Sequence, residues 1–332
     1  MKKAFLILIT LLIFSPQSYG ETENIALLTK KGFFEKQETT QTNPYEEIKK
    51  TMAVHLKASN AYDINKLSSL YADKYINGDG FKKDVYFDLI EKTWASYKDI
   101  KYKMEIKNIQ VYGDLAMVEL NEYAIATTDS KSSALMGKGL LRSISDCIYY
   151  FEKINNDWQI TSDHTAFEKI YLSYGAAQNS QIELIAPSQI LANTPYTASL
   201  EIKAPQDTLV IASIGREIIT YPQTVADEVF RKFPDNNCLE RMFTSNDKNI
   251  NEYTVASYGM TKAEIKKGSE IKIYITGLGF VMSRVNVIPI NNYIKYEPKT
   301  AAASKVSAEV KPEVKTECDT KTKTKDKEDA KK

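Results

Sequence analysis

The chain has 332 residues, 43% of them hydrophobic and 26% charged, a composition that suits a water-soluble globular protein and leaves room for two domains of ordinary size. Its 44 Lys and Arg residues stand against 43 Asp and Glu, a formal net charge of +1. Without a global field, neither nucleic acid nor an anionic membrane surface is expected as a partner.

The N-terminus reads as a secretory signal. Lys2 and Lys3 precede the apolar run AFLILITLLIF, and SPQSYG then places Ser18 and Gly20 third and first before a cut ahead of Glu21. The apolar run falls short of the ~20 residues that span hydrocarbon, so removal of residues 1–20 and export to the periplasm or beyond are expected, with no integral membrane segment afterwards. Residues 21–43 read as a linker.

A folded part is expected over 44–176. Asn43 suits a helix N-cap, Pro44 the first helical position and Glu46 a capping box, and Ile48, Met52, Leu56 and Ser59 line one face. Asp63 suits the cap of a shorter helix carrying Ile64, Leu67, Leu70 and Tyr71. A third helix is expected after Asp84, with Tyr86, Leu89, Ile90, Thr93, Trp94 and Tyr97 on one stripe. Two alternating runs around Gly113 and Asp114 predict a hairpin with Ala116, Val118, Leu120, Glu122 and Ala124 on one face. A second hairpin is centred on Asn155 and Asn156. A two-residue turn there sets Ile154 opposite Asp157, Phe151 opposite Ile160, Tyr149 opposite Ser162 and Cys147 opposite His164.

Helices followed by an antiparallel meander make an α+β layer. The stretch LKASNAYDINKLSSLYADKYINGDG, the VYGDLAMVEL hairpin and the closing YYFEKINNDWQITSDH resemble the nuclear transport factor 2-like superfamily, which includes ketosteroid isomerase and SnoaL-type cyclases. That resemblance implies a cone-shaped curved sheet packed on three helices. It implies a pocket on the concave face and pairing of two copies through the outer face. It does not fix an activity, because the fold hosts enzymes, carriers and assembly modules.

Small and polar residues at Gly175–Gln181 mark a seam. Residues 181–299 carry short β-rich runs, with VADEVFRKF as one possible helix, and predict an all-β sandwich resembling bacterial immunoglobulin-like modules. Residues 300–332 are charged and free of aromatics, and read as a disordered tail.

No motif names a reaction. His164 alternates with Trp158, Ile160 and Ser162, which would make it a pocket-facing general base oriented by Asp146 or Asp163; it could equally be a strand-end histidine satisfied by backbone or water. Glu122 among apolar neighbours would have a raised pKa and could shuttle protons, unless a bulge turns it to solvent. Tyr71, Tyr75, Trp94 and Tyr149 complete the candidate pocket. Cys147 beside His164 could form a nucleophilic pair, although nothing Gly-rich follows to supply an oxyanion donor. Of the three cysteines, only Cys147 and Cys238 fall in segments expected to be ordered, and a disulfide between them is disfavoured because they lie in different parts; Cys318 lies in the tail.

His55 and His164 are too far apart in sequence to suggest a metal site, and Gly277–Leu278–Gly279 lacks the third glycine of a dinucleotide fingerprint, so no metal and no cofactor are expected. NGDG at 77–80 reads as a turn. Three functions remain open. The first is an exported non-enzymatic protein that binds a small apolar molecule or another exported protein, with a homodimer possible. The second is a small-molecule isomerase, hydratase or cyclase, which requires His164 and Glu122 in one closed concavity walled by Trp94, Tyr71 or Tyr75, and which a plug from the helices or the C-terminal part would exclude. The third is an envelope structural or adhesive component.

Overall fold

The computed structural model describes residues 43–129, 137–223, 228–265 and 271–290. The expected signal, linker and charged tail lie outside them. No helix among the described residues is long and apolar enough to cross a membrane.

Helix α1, Pro44–Ala61, starts where the sequence places it, with the Asn43 side chain accepting from the Tyr45 amide at 3.1 Å. The Glu46 carboxylate turns outward to Lys49 at 2.8 Å. Helix α2, Ile64–Ser68, is capped by Asp63, whose carboxylate accepts from the Lys66 amide at 2.9 Å. Helix α3, Lys83–Ser96, begins ahead of Asp84, which sits in its first turn, where a carboxylate favours the positive end of the helix. Ile48, Met52 and Ile90 from α1 and α3 pack with Val118, Leu120, Phe151 and Ile160 of the sheet into one core.

The sheet begins with β1 (Lys101–Tyr112), β2 (Leu115–Asp129), β3 (Lys138–Ile154) and β4 (Asp157–Gly175), a meander of long antiparallel strands. The turn at Asn155 and Asn156 has φ of 52° and 68°, the left-handed pair that a two-residue hairpin requires and that asparagine tolerates. Ile154 faces Asp157 and Phe151 faces Ile160 as expected. Beyond that point the expected pairing fails. A bulge between Phe151 and Tyr150 shifts the register, so that Tyr150 faces Ser162, Tyr149 faces Asp163, Ile148 faces His164 and Cys147 faces Thr165. A second shift lies between Cys147 and Asp146. Because side chains alternate, a one-residue slip exchanges the two faces of the strand.

The chain then forms β5 (Gln181–Ile185), β6 (Gln189–Leu191), β7 (Pro195–Lys203), β8 (Leu209–Ile218), β9 (Arg231–Lys232), β10 (Cys238–Thr244), β11 (Glu252–Ile265) and β12 (Ile271–Ile288). These do not form a sheet system of their own. The order β1-β2-β3-β4-β12-β11-β8-β9 is a single sheet, joined across the seam by pairing of β4 with β12, while β10-β7-β5 form a separate three-stranded sheet. Leu184, Leu200 and Ile202 of the small sheet pack on Ala212, Ala256 and Val281 of the large one. Within VADEVFRKF, Arg231 and Lys232 are strand rather than helix, and residues 224–227 lie outside the described set. Phe233 is buried beneath β8, which explains why an apolar residue recurs there.

The glycines of GLG serve packing. A Cβ at Gly277 would meet the Ala177 amide nitrogen at 2.6 Å, and one at Gly279 would meet the Tyr258 ring at 2.0 Å. Gly277 thus admits the short 3-10 turn Ala176–Asn179 against β12, and Gly279 lets the Tyr258 ring lie across the strand.

Candidate functional site

Between the sheet and α3 lies a cavity of about 120 Å³ lined by Glu122, Tyr149, Asp163, Glu168, Tyr86 and Arg284, among others. Pairing explains the cluster. Glu122 of β2 is opposite Ser145 of β3, which is opposite Glu168 of β4, and four residues further along β3 Tyr149 is opposite Asp163. Three carboxyl groups from two strands therefore face one space. They are 1%, 9% and 3% exposed for Glu122, Asp163 and Glu168, which excludes the solvent-facing alternative for Glu122.

Each carboxyl has its own support. Tyr149 donates to Glu122 Oε1 at 2.9 Å, and the Cys147 thiol approaches Oε2 at 3.5 Å. Tyr75 donates to Asp163 Oδ2 at 2.6 Å. Tyr253 donates to Glu168 Oε2 at 2.5 Å. Burial pushes Glu122 up to about 8, with the nearby Asp163 and Glu168 charges adding to it against the Tyr149 bond. Burial pushes Asp163 only to about 6, because Tyr75 and Arg284 favour its ionised form. Burial takes Glu168 to about 7, opposed by Arg284 and Tyr253. Burial thus favours the protonated form of Glu122 more strongly than that of Asp163. Both oxygens of Glu122 accept, Oε1 from the Tyr149 hydroxyl and Oε2 from the Cys147 thiol.

Arg284 closes one end. Its side chain is 3% exposed and forms a forked pair with Asp79, whose side chain is 12% exposed. Asn251 donates to Asp79 Oδ1 at 2.8 Å, and Arg284 Nε donates to Asn286 at 2.9 Å. The NGDG turn is built for this: Asn77 Oδ1 accepts from the amides of Asp79 and Phe81, and Gly80 has a φ of 84°. The mouth runs between Phe81 and Leu89 on one side and Thr220 and Gln223 on the other. There Tyr221 hydrogen-bonds Asp88 of α3 and receives Lys92 at 2.6 Å, clasping the 219–223 segment to the helix.

Two of the expected pocket residues, Glu122 and Tyr149, line the cavity, and Tyr75 holds Asp163 from beneath. Tyr71 is buried below, bonded to His55 Nε2 at 2.7 Å; burial pushes His55 down to about 3, so that imidazole is neutral. Trp94 belongs elsewhere, donating to the Tyr102 hydroxyl at 2.6 Å beside a separate small void. His164 is displaced by the bulge: it is half-buried against the 77–80 turn, with Gly78 beside its ring, and lines no part of the cavity. Burial also lowers its pKa, with Arg284 adding to the effect. Asp146 points outward to Lys107 at 3.3 Å. Neither can act on a molecule held between Glu122 and Asp163. Cys147 is a buried free thiol facing Thr165, with its pKa raised by burial, so neither the nucleophilic pair with His164 nor a disulfide to Cys238 forms. No group of three or more His, Cys, Asp or Glu among the described residues is arranged to hold a metal ion.

No protein-family model matches the chain, and no curated protein matches it. Among solved structures it is similar to a conserved protein from Planctomyces limnophilus DSM 3776, at 17% identity over 36% of this chain and 93% of that one, with a TM-score of 0.32. It is also similar to the hexachlorocyclohexane dehydrochlorinase LinA-type3 from Novosphingobium barchaimii LL02, at 14% identity over 37% and 84% of the two chains and a TM-score of 0.30. An NTF2-like protein from Cytophaga hutchinsonii ATCC 33406 matches at 14% identity over 37% and 98%, with a TM-score of 0.25. Each covers little more than a third of this chain, and no function passes to it at these values. The functional reading therefore rests on the cavity itself.

Proposed function

We propose that the cavity is the active site of an acid–base enzyme, an isomerase or dehydratase acting on a small hydroxy-carbonyl compound. The observation that carries this reading is two buried carboxyl groups facing one space, each fixed by its own tyrosine, with burial raising Glu122 further than Asp163. Environments that push two neighbouring acids apart assign one as base and the other as acid. In this reading Asp163, held by Tyr75, removes a proton from the substrate carbon. Glu122, held by Tyr149, gives its carboxyl proton to the substrate oxygen, either forming the enol of an isomerisation or releasing water. Glu168 and Arg284 set the field at the far end.

Size narrows the substrate. An apolar cavity of about 150 Å³ accommodates benzene. A site of about 120 Å³ suits three- to five-carbon hydroxy ketones and aldehydes, rather than the steroids or polyketides that the superfamily resemblance brings to mind. The C-terminal strands roof the concavity without filling it. In this proposal residues 1–20 direct the chain out of the cytoplasm, a role supported by their sequence alone.

Incubation of hydroxyacetone, lactaldehyde and acetoin with the protein in D2O, followed by proton NMR, tests the reading. Catalysed exchange of the carbon-bound proton is expected, rising as pH passes about 6 and falling as it passes about 8, because activity needs Asp163 ionised and Glu122 protonated. No exchange across the series, or exchange unaltered by Asp163→Asn, would refute it.

A further inference from the structure

A second and larger cavity has no part in that chemistry. It is a groove of about 1250 Å³ between the outer face of the large sheet and the small sheet. Its floor carries Ile125, Ile144 and Tyr171, and its opposite wall carries Ile182 and Ile202 of β5 and β7. The space exceeds the ~300–1,000 Å³ of ordinary small-molecule sites, and apolar side chains form much of the lining.

Among its polar lining residues, which include Lys103, Glu183, Glu201 and Lys203, three stand close together. Arg142 of β3 is directly opposite Tyr171 of β4, and from two strands further on Tyr258 of β11 reaches toward them because Gly279 leaves the space above β12 open. Arg142 is exposed to the groove and makes no ion pair among the described residues. Burial and the nearby charges, Arg142 among them, act on Tyr171 and Tyr258, and neither hydroxyl has a hydrogen bond among the described residues. Burial pushes Tyr171 up to about 12, so its hydroxyl stays a donor at any ordinary pH. The neighbouring acid Glu183 is engaged by Lys169. A guanidinium fork and two phenolic groups thus stand together beside the apolar side chains of the floor, with no ion pair or hydrogen bond of their side chains among the described residues.

We propose that this groove binds an amphipathic carboxylate of the fatty-acid type, its head on Arg142, Tyr171 and Tyr258 and its chain along Ile182 and Ile202. A single guanidinium matches one carboxylate in a bidentate pair, and the long apolar walls match an alkyl tail. A neutral chain would leave the guanidinium without a counter-charge, and a cationic head would meet repulsion there.

Isothermal titration calorimetry of the full chain with decanoate, decanol and decyltrimethylammonium, each below its aggregation range, tests the site. Decanoate is expected to bind one to one and about tenfold or more tighter than decanol, with decyltrimethylammonium weakest. Arg142→Gln should bring decanoate down to the level of decanol, and Arg142→Lys should restore part of the difference. Arg142 is exposed, so neither variant threatens the fold, and proton exchange in the inner cavity should be unchanged in both. Decanoate binding no tighter than decanol, equal binding of the cation, or full affinity in Arg142→Gln would overturn the proposal, as would the absence of saturable binding by any of the three.

Discussion

Glu122→Gln is expected to lower the exchange reaction by about 100-fold or more while leaving the protein folded, since general acid catalysis contributes ~10²–10⁴-fold. Glutamine keeps the shape of the side chain and still accepts from Tyr149, but it has no proton to give. The same variant should also change how stability depends on pH. Burial pushes Glu122 up to about 8 in the fold from an ordinary value of 4.5, so between those values the folded chain holds a proton that the unfolded chain has released. Folding stability from this group is therefore fully present below pH 4.5 and is lost as pH rises through about 8, by roughly 5 kcal/mol in all. Asp163 and Glu168 act with the same sign, each starting from the ordinary value of its carboxyl and ending near pH 6 and pH 7 respectively. Urea midpoints for the unmodified chain should fall steadily from pH 5 to pH 9, and those of Glu122→Gln should fall much less. Parallel curves would show that Glu122 titrates normally.

Arg284→Gln is expected to cost about 3–5 kcal/mol, because it leaves Asp79 as an uncompensated charge in a site where both partners are nearly sealed from water. The double variant with Asp79→Asn should recover part of that loss, since no ion then remains unpaired. The single variant carries a second signature. Arg284 holds down both Asp163 and Glu168, so its removal should move the acid limb of the exchange profile to higher pH. Denaturant unfolding measures the first effect and the pH–rate profile the second. A loss under about 1 kcal/mol with an unmoved profile would mean that the pair neither holds the roof nor tunes the carboxyls.

Much of this architecture was legible because it is local. The Asn43 and Asp63 caps, the Asn155–Asn156 turn and the buried face of β2 follow from propensities and alternation over a few residues, and all are present. Glu122 could be picked out for the same reason: it is a carboxylate in phase with Ala116, Val118, Leu120 and Ala124. The pocket-facing alternative for His164 fails at one residue. Thr161 is left over by the bulge opposite Tyr150 and Phe151, so Asp163 turns inward and His164 turns out. Nothing in the local pattern of WQITSDH marks that slip, because Ser162 and Asp163 are both polar and either phase of alternation can be read. Arg284, Asn251 and Tyr253 were out of reach for another reason. They come to the cavity because β12 pairs with β4, about a hundred residues earlier in the chain, and brings its neighbour β11 with it, a contact that periodicity does not encode. The same pairing makes one sheet out of two stretches that composition separates at Gly175–Gln181.

The central claim is that two buried carboxyls in one cavity titrate on opposite sides of neutrality. Carbon-13 NMR of the full chain, labelled at its Asp and Glu carboxyl carbons and assigned with Glu122→Gln and Asp163→Asn, measures this without knowledge of the substrate. The account predicts one resonance titrating near pH 8 that is missing from Glu122→Gln, and one near pH 6 that is missing from Asp163→Asn. Both resonances titrating below about pH 5, in the ordinary carboxylate range, would contradict it.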